Sequence, residues 1–340
     1  MKFIKKTIFL LLGLFAMGLL IEVLLGIMFY IKDQHIDQVE VMETRDYPYL
    51  YYLFKTGKNL NQHGFKTNYS TVSENNDNYR ILLLGGSVAR GYEADSTIAV
   101  FLEKELERQI PGKNFEVINA GISAFVLQQE FILLQSIGMV YKPDMVIGVD
   151  GYNDIATQWY NRFYDSPHPL PPHHWGDFRV IRDNRFKSKP YSRFAYFFKN
   201  VDRLKAFLLR KKIDSNIDCN SQNDELKEFI STYRKITLDI KAYCKGYKIP
   251  YFQFVQPLQF YNNTSNFNKL DCREQRYFQR YELLNKLASQ YGFMYSLNAV
   301  IPIEKHWWKD ECHVSNKGNA LLAKEITNFL KQKIVRSSNH

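Results

Sequence analysis

The chain has 340 residues, of which 45% are hydrophobic and 24% are charged, and its formal net charge is +10. This is the composition of a globular protein with ample apolar content for a core, in one or two domains. The basic balance is compatible with nucleic acid, but no nucleic-acid motif accompanies it, so we expect no nucleic-acid partner. A protein that works near anionic lipid or acidic glycan fits the charge equally well.

An apolar run begins close to the N-terminus. Residues 7–31 contain one ionisable residue, Glu22, and exceed the roughly 20 residues that cross a bilayer, whereas a cleavable signal peptide has an apolar region of about 7–15 residues. Three lysines precede the run and three acidic residues follow it: Lys2, Lys5, Lys6, Asp33, Asp37 and Glu40. We therefore predict that residues 1–31 form an uncleaved signal anchor of a single-pass membrane protein, with the N-terminus inside and the following domain on the periplasmic or extracellular side.

Residues 32–78 are polar with scattered tyrosines, and we predict a linker and entry segment with one short strand. From residue 79 onward, short apolar runs alternate with amphipathic stretches. The predicted strands are 80–84, 115–119, 145–149, 251–255 and 293–297, and the predicted helices are 96–109, 126–140, 224–245, 273–291 and 315–333. This alternation predicts one α/β domain over residues 79–335, with a mainly parallel sheet covered by helices on both faces.

The alternation breaks between residues 155 and 192. This stretch is rich in aromatic residues, proline and histidine. A long irregular insertion in a compact domain is commonly a functional loop or a flexible one. Because it directly follows a polar motif at a strand end, we predict a lid or a substrate wall.

Three polar motifs follow the first three predicted strands of the domain. Ser87 stands on a Gly-Gly-Ser turn, where glycine permits a tight turn and the hydroxyl projects from the strand end. Gly121 lies in Asn-Ala-Gly, where its N–H is able to point into a cleft, and Asn153 lies in Gly-Tyr-Asn-Asp and carries an amide donor suited to an oxyanion. Each motif has a plain alternative, because Gly-Gly-Ser is also a simple turn or a phosphate cradle, and the other two are ordinary helix-start turns.

A fourth motif precedes the last predicted helix. In Asp-Glu-Cys-His, a spacing of three lets the Asp310 carboxylate accept a hydrogen bond from Nδ1 of His313. Nε2 is then available to take a proton from a serine hydroxyl. The alternative for a single motif of this kind is a capping aspartate beside a surface histidine.

In this order the four motifs resemble the SGNH (GDSL-like) hydrolase family, which is named for blocks that bear Ser, Gly, Asn and His. The matching residues are Ser87, Gly121, Asn153 and His313, and the resemblance covers about residues 78–155 and 309–330, a third of the chain. It implies a three-layer, flavodoxin-like α/β/α fold. The resemblance departs from the family pattern at Gly86, which stands where the Gly-Asp-Ser motif has aspartate.

The resemblance also implies roles for individual residues in a membrane-anchored ester hydrolase. Ser87 would be the nucleophile, His313 the base and Asp310 its orienting partner. The backbone N–H groups of Ser87 and Gly121 and the side chain of Asn153 would form the oxyanion hole. No cofactor is implied.

The implied substrate is an acyl ester, and the anchor favours short acyl groups such as acetyl on a cell-envelope or exported glycan. Three alternatives use the same fold. An O-acyltransferase of surface polysaccharide would pass the acyl group from the serine to a sugar hydroxyl, and a lipase would need a wide apolar groove. An inactive domain that binds glycan in an assembly would need no triad.

Several further residues are weaker candidates for substrate binding. Arg90 and Tyr92 lie on the segment after the serine and are predicted to line the pocket. His306, Trp307 and Trp308 lie near the fourth motif, where the aromatic pair either stacks on a sugar ring or packs in the core.

The four cysteines are Cys219, Cys244, Cys272 and Cys312. They show no CxxC spacing, so we predict no metal site among them. One or two disulfides and free, partly buried thiols are both compatible with their positions.

Overall fold

The structure, a computed structural model, describes residues 44–47, 50–57, 59–69, 71, 77–91, 96–156, 223–262 and 272–337, together with parts of 6–27. Contacts divide the chain into two units. One consists of Met42–Gly176 and Cys219–His340, and the other of Met1–Val41 and Asp177–Asp218. The predicted insertion at 155–192 lies outside the described residues except for its first two.

In the N-terminal unit, residues 15–24 are helical. Within the part of the chain that the structure describes, no helix combines the length and the apolar character that a membrane span needs. The signal anchor at 1–31 stays a prediction.

The larger unit contains a five-stranded parallel sheet. The strands are β3 (Tyr79–Gly85), β4 (Phe115–Asn119), β5 (Met145–Asp150), β6 (Tyr251–Val255) and β7 (Met294–Ser296). Their order across the sheet is β4-β3-β5-β6-β7, and every neighbouring pair is parallel. The predicted α/β class with a parallel sheet is confirmed. Every residue of β4, β5 and β6 is buried, which is why these strands are visible as short apolar runs.

The helices of this unit form two layers. They are α1 (Ser87–Arg90), α2 (Ile98–Gln109), α3 (Leu127–Ser136), α4 (Asn223–Gly246), α5 (Cys272–Gln290) and α6 (Asn316–Ser337). Helix α6 packs on α2, whereas α4 packs on both α3 and α5.

Strand β6 shows that these layers lie on opposite faces of the sheet. Phe252 and Phe254 both contact Phe329 of α6. The intervening Gln253 donates to Asp150, which also accepts from Tyr233 of α4. Because successive side chains of a strand point to opposite faces, the sheet is covered on both sides in an α/β/α arrangement.

The order of the strands creates a crevice at one edge of the sheet. The chain passes from β3 outward to β4 and then returns across β3 to β5. In an open parallel sheet, ligands bind outside the carboxyl ends of the strands at such a point of reversal. The segments that directly follow β3, β4 and β5 carry Ser87, Gly121 and Asn153, so this topology brings the first three motifs to one place.

The entry segment contributes an antiparallel hairpin, where the sequence predicted a single short strand. It consists of β1 (Thr44–Tyr47) and β2 (Tyr51–Phe54). Leu50 and Leu53 are fully buried. The hydroxyl of Tyr52 donates to the carbonyl oxygen of Ser123, which ties the hairpin to the loop after β4. Residues assigned from the sequence to an entry segment therefore belong to the core of this unit.

Candidate active site

The candidate nucleophile stands at the first position of helix α1. Strand β3 ends at Gly85, and Gly86 precedes the helix that begins with Ser87. The N–H of a first helical residue has no carbonyl partner within its helix, so the Ser87 N–H is able to bond a group from outside the helix. Gly86 permits a close approach, because a Cβ there would lie 2.4 Å from the amide nitrogen of Asn153.

Ser87, His313 and Asp310 form a continuous line of hydrogen bonds. The Oγ of Ser87 lies 2.7 Å from Nε2 of His313. On the other side of the ring, Nδ1 lies 2.6 Å from Oδ2 of Asp310. The carboxylate selects the tautomer with hydrogen on Nδ1, which leaves the Nε2 lone pair to accept the serine proton.

Asp310 is held in its ionised form by these contacts. Burial alone would raise the pKa of this carboxyl, but the hydrogen bond and charge of His313, with two backbone N–H donors, lower it to about 2. Those donors are the N–H groups of Cys312 and His313, at 2.9 and 2.8 Å from Oδ1. A carboxylate fixed in this way orients the imidazole and stabilises the imidazolium that forms during catalysis.

The loop that carries Asp310 and His313 is closed at its base. Trp308 and Val314 form an antiparallel bridge, and the N–H of Lys309 donates to the His313 carbonyl oxygen at 2.8 Å. Trp308 is 5% exposed, and its indole N–H donates to a backbone carbonyl at 2.7 Å. Of the two roles considered for Trp308, packing therefore describes its position.

Asn153 lies directly beside the serine turn. Its Nδ2 donates to the carbonyl oxygen of Phe125 at 2.8 Å. An amide NH₂ has two hydrogens, so one is left for an oxyanion near Ser87. The next residue, Asp154, accepts from the N–H of Leu127 and so satisfies a donor at the start of helix α3.

The N–H of Gly121 is already used in this structure. It donates to Oδ1 of Asn119 at 3.0 Å, and Nδ2 of Asn119 donates to the carbonyl oxygen of Ala89 in α1 at 3.0 Å. A Cβ on residue 121 would lie 2.6 Å from the backbone nitrogen of Arg90, so only glycine fits here. Gly121 brings the loop after β4 against the serine helix, and its N–H is bonded within that loop.

A group of carboxyls lies close to Asn153. Glu130 and Asp150 are buried, whereas Asp154 is half-buried with its Oδ2 shielded from solvent. Asp150 accepts from Tyr233 at 2.5 Å and from Gln253 at 2.9 Å. Burial raises the pKa of Asp150 to about 6.

The other two carboxyls of this group are more strongly perturbed. Burial, followed by the charges of Asp150 and Asp154 and a hydrogen bond to Asp150, raises the pKa of Glu130 well above its usual range. Burial and the charge of Asp150 do the same for Asp154. Among these carboxyls, Glu130 and Asp154 therefore release their protons less readily than an exposed carboxyl does. Sequence reasoning missed this group, because its members stand far apart in the chain and share no motif.

A second contact that the sequence did not indicate joins two motifs of the site. The hydroxyl of Tyr152 donates to Oε1 of Glu311, and the Tyr152 ring packs edge-on against Tyr277. Tyr152 precedes Asn153, and Glu311 follows Asp310. The contact therefore links the loop that offers the amide donor to the loop that carries the base.

The weaker candidates lie in different surroundings. Arg90 is buried, and its guanidinium lies 4.3 Å from the ring centre of Phe54. His306 is exposed and lies against Trp307, with ring centres 5.3 Å apart. Tyr92 lies outside the described residues.

Two of the four cysteines have described side chains. Cys244 and Cys312 are both free and buried. Cys219 and the side chain of Cys272 lie outside the described part of the chain.

No protein-family model matches this sequence, and no curated protein is significantly similar to it. Among solved structures, a lipase from a goat rumen metagenome is similar at 13% identity, with a TM-score of 0.45 and coverage of 74% of this chain and 97% of that chain. An acetylxylan esterase from Geobacillus stearothermophilus is similar at 14% identity, with a TM-score of 0.44 and coverage of 74% of this chain and 94% of that chain. A lipase/acylhydrolase from Enterococcus faecalis is similar at 16% identity, with a TM-score of 0.39 and coverage of 75% of this chain and 96% of that chain. The resemblance to SGNH hydrolases stays an inference from the four motifs.

Proposed function

We propose that this chain is a serine ester hydrolase that forms an acyl-enzyme on Ser87. The observation that carries the proposal is the line from Oγ of Ser87 through the His313 imidazole to the Asp310 carboxylate, with distances of 2.7 and 2.6 Å. A nucleophile, a base and a group that orients the base are the three parts that acyl transfer to serine requires.

The proposed reaction has two halves. Ser87 Oγ attacks the acyl carbonyl while its proton passes to Nε2 of His313, and the imidazolium returns that proton to the leaving alcohol. Water, deprotonated by the same imidazole, then attacks the acyl carbon, and the imidazolium returns that proton to Ser87 Oγ as the acid leaves. Throughout both halves, Asp310 stabilises the positive charge on the ring.

The oxyanion of each tetrahedral intermediate would be held by two donors, the Ser87 N–H and the second amide hydrogen of Asn153. A donor in such a position contributes about 3–4 kcal/mol to the stabilisation of the transition state. The Gly121 N–H, which the motifs also suggest, would join them only by sharing or giving up its bond to Asn119.

The proposed substrates are short acyl esters, chiefly acetyl esters, of a cell-envelope or exported glycan. The predicted anchor at residues 1–31 supports this class, because it would keep the domain beside surface polymers. The alternative of an inactive glycan-binding domain is disfavoured, since binding alone would not require a base in contact with a serine hydroxyl.

The experiment that tests this function treats the detergent-solubilised full-length protein with a serine-directed fluorophosphonate and measures its intact mass. One adduct is expected on the parent protein and none on Ser87→Ala. Ser123→Ala is the matched control, because it removes a half-buried hydroxyl from the neighbouring loop after β4 and should leave the adduct in place. An unmodified parent that is folded, or an adduct that persists in Ser87→Ala, would overturn the proposal.

A second assay addresses the substrate class. Acetate release from acetylated glycan and from p-nitrophenyl acetate should exceed the release of long-chain acids from the corresponding esters. Preference for long-chain esters would identify the protein as a lipase and would contradict the proposed glycan esterase. Transfer of the acetyl group to an added sugar in preference to water would identify an O-acyltransferase.

A further inference from the structure

Three side chains of the triad loop converge on one point. Sγ of Cys312 lies 3.6 Å from Nδ1 of His313, which in turn lies 2.6 Å from Oδ2 of Asp310. One sulfur, one nitrogen and one oxygen ligand atom thus lie within 4.8 Å of one another. The reaction proposed above uses the imidazole and the carboxylate, but it gives the thiol no role.

We propose that Asp310, Cys312 and His313 form an inhibitory binding site for a zinc-type divalent ion. The inhibition rests on the proposed function, whereas the binding does not. A sulfur–nitrogen–oxygen set suits a borderline-soft ion and is a poor match for magnesium or calcium. Three protein ligands with one position left for water make a reversible, chelator-sensitive site of the open type.

The spacing of the ligands supports this assignment. Tetrahedral zinc, with Zn–S of about 2.3 Å and Zn–N of about 2.0–2.1 Å, places sulfur and nitrogen roughly 3.6 Å apart. That is the distance between Cys312 Sγ and His313 Nδ1. The nitrogen and oxygen would need to separate to roughly 3.3 Å. The Asp310 side chain is 42% exposed, and this separation requires Oδ2 to loosen its contact with Nδ1 while Oδ1 keeps its two backbone donors.

The charges of the site also fit a divalent ion. Cys312 is 3% exposed, and its thiol and the Nδ1–H group of His313 both lie close to one carboxylate. An ion that displaces the thiol proton to solvent acquires two negative ligands, which balance its charge of two.

Binding would stop catalysis through the tautomer of His313. The ion would take the lone pair of Nδ1, so the proton of the neutral ring would move to Nε2. Nε2 would then be a donor and would no longer accept the proton of Ser87 Oγ. In all, one proton is released to solvent, from Cys312, and the imidazole stays neutral.

The site is preorganised by the backbone of its loop. The N–H groups of Cys312 and His313 both hold Oδ1 of Asp310, while the bridge between Trp308 and Val314 closes the base of the loop. Ligands that are fixed by backbone contacts lose little conformational freedom when they bind an ion.

The binding test uses Cd²⁺ as a spectroscopic probe on the full-length Ser87→Ala variant, which retains all three ligands and has no nucleophile. One equivalent should produce an ultraviolet thiolate-to-cadmium charge-transfer band, and Zn²⁺ should displace it. The band should vanish in Ser87→Ala combined with Cys312→Ser and should persist with Cys244→Ser, the matched buried thiol. His313→Ala, which keeps the thiol, should weaken binding. The absence of the band, or its survival in Cys312→Ser, would overturn the site.

The inhibition test uses the protein with Ser87 intact. Saturating Zn²⁺ should slow fluorophosphonate labelling by at least about 10²-fold, the smaller end of what a positioned base contributes. A chelator should restore the rate. Labelling that continues while cadmium occupies the site would overturn the inhibition. A parent protein that is never labelled would instead refute the proposed function. In that case the presence or absence of the cadmium band would still show whether the three residues bind an ion.

Discussion

Tyr152 donates a hydrogen bond to Glu311, and this contact joins the loop that carries Asn153 to the loop that carries Asp310 and His313. The two loops follow different elements of the fold, β5 and the 3₁₀ turn Lys305–Trp307. Their relative position sets where the proposed oxyanion donor, Asn153, lies with respect to the proposed base, His313.

Tyr152→Phe removes this bond but keeps the ring against Tyr277. We expect kcat to fall by about tenfold, the equivalent of about 1.4 kcal/mol, with little change in KM, because alignment in the transition state is lost. Tyr295→Phe is the matched control, since Tyr295 donates to Glu325 at 2.5 Å and lies on the edge strand β7. Equal losses in the two variants would show that the Tyr152 bond has no special role in alignment.

Asn153→Ala removes the amide donor beside the serine turn. We expect kcat to fall by about 10²–10³-fold with little change in KM, because the donor stabilises charge that develops only in the transition state. Steady-state kinetics on a short acyl ester check this. A variant with raised KM and unchanged kcat would make Asn153 a binding residue.

Gly86→Ala introduces a Cβ 2.4 Å from the resting position of the Asn153 amide nitrogen. That nitrogen is the end of a flexible side chain, so it can move aside at small cost to stability, but the oxyanion donor is then displaced. We expect a loss of kcat that approaches that of Asn153→Ala. The combined variant should lose little more, because the two changes remove the same donor.

The control for Gly86→Ala is Gly292→Ala, where a new Cβ meets nothing within 4 Å. Its kcat should equal that of the parent. Additive losses from Gly86→Ala and Asn153→Ala would mean that the clash acts on something other than the donor.

Glu130→Gln tests the buried carboxyl whose pKa is raised. A carboxyl with a higher pKa in the folded state binds more protons when folded, so the free energy of unfolding falls as the pH rises above the unfolded-state pKa of about 4.3. The parent should therefore lose stability more steeply than Glu130→Gln between about pH 5 and about pH 7.5. Urea denaturation at both pH values measures the difference.

The control for that experiment is Glu228→Gln, which changes an exposed carboxylate of α4. Its stability should follow the parent at both pH values. If Glu130→Gln also follows the parent, Glu130 does not take up a proton when the chain folds.

Removal of residues 1–31 tests the predicted anchor. The shortened chain should move from the membrane fraction to the soluble fraction, because the span that would hold it is gone. Fractionation with an immunoblot checks this. A shortened chain that stays in the membrane fraction would require a second attachment, and a full-length chain in the soluble fraction would contradict the anchor itself.

The limits of sequence reasoning follow from what each feature depends on. Strands β4 and β6 were predicted with the observed bounds, because burial on both faces makes them continuous apolar runs. The hairpin at Thr44–Phe54 was predicted as one strand, since its mixture of tyrosine and charge carries no clear alternation.

The site shows the same limits. The motifs predicted Ser87, Asp310 and His313 because acyl transfer to serine requires these residue types. It also restricts the spacing between Asp310 and His313. The use of the Gly121 N–H by Asn119 depends on how the loop after β4 packs against α1, and no local pattern encodes that packing. The positions of Arg90 and Trp308 depend on burial in the same way.

The triad joins residues that are 226 positions apart, and the base lies just before the last helix. During synthesis the serine turn emerges early, long before the loop that activates it. Helix α6 must also dock, because it packs on α2 and covers Phe252 and Phe254 of the sheet. An incomplete chain would therefore carry an ordinary, unreactive serine. The proposed activity would therefore arise only once the final segment has folded into place.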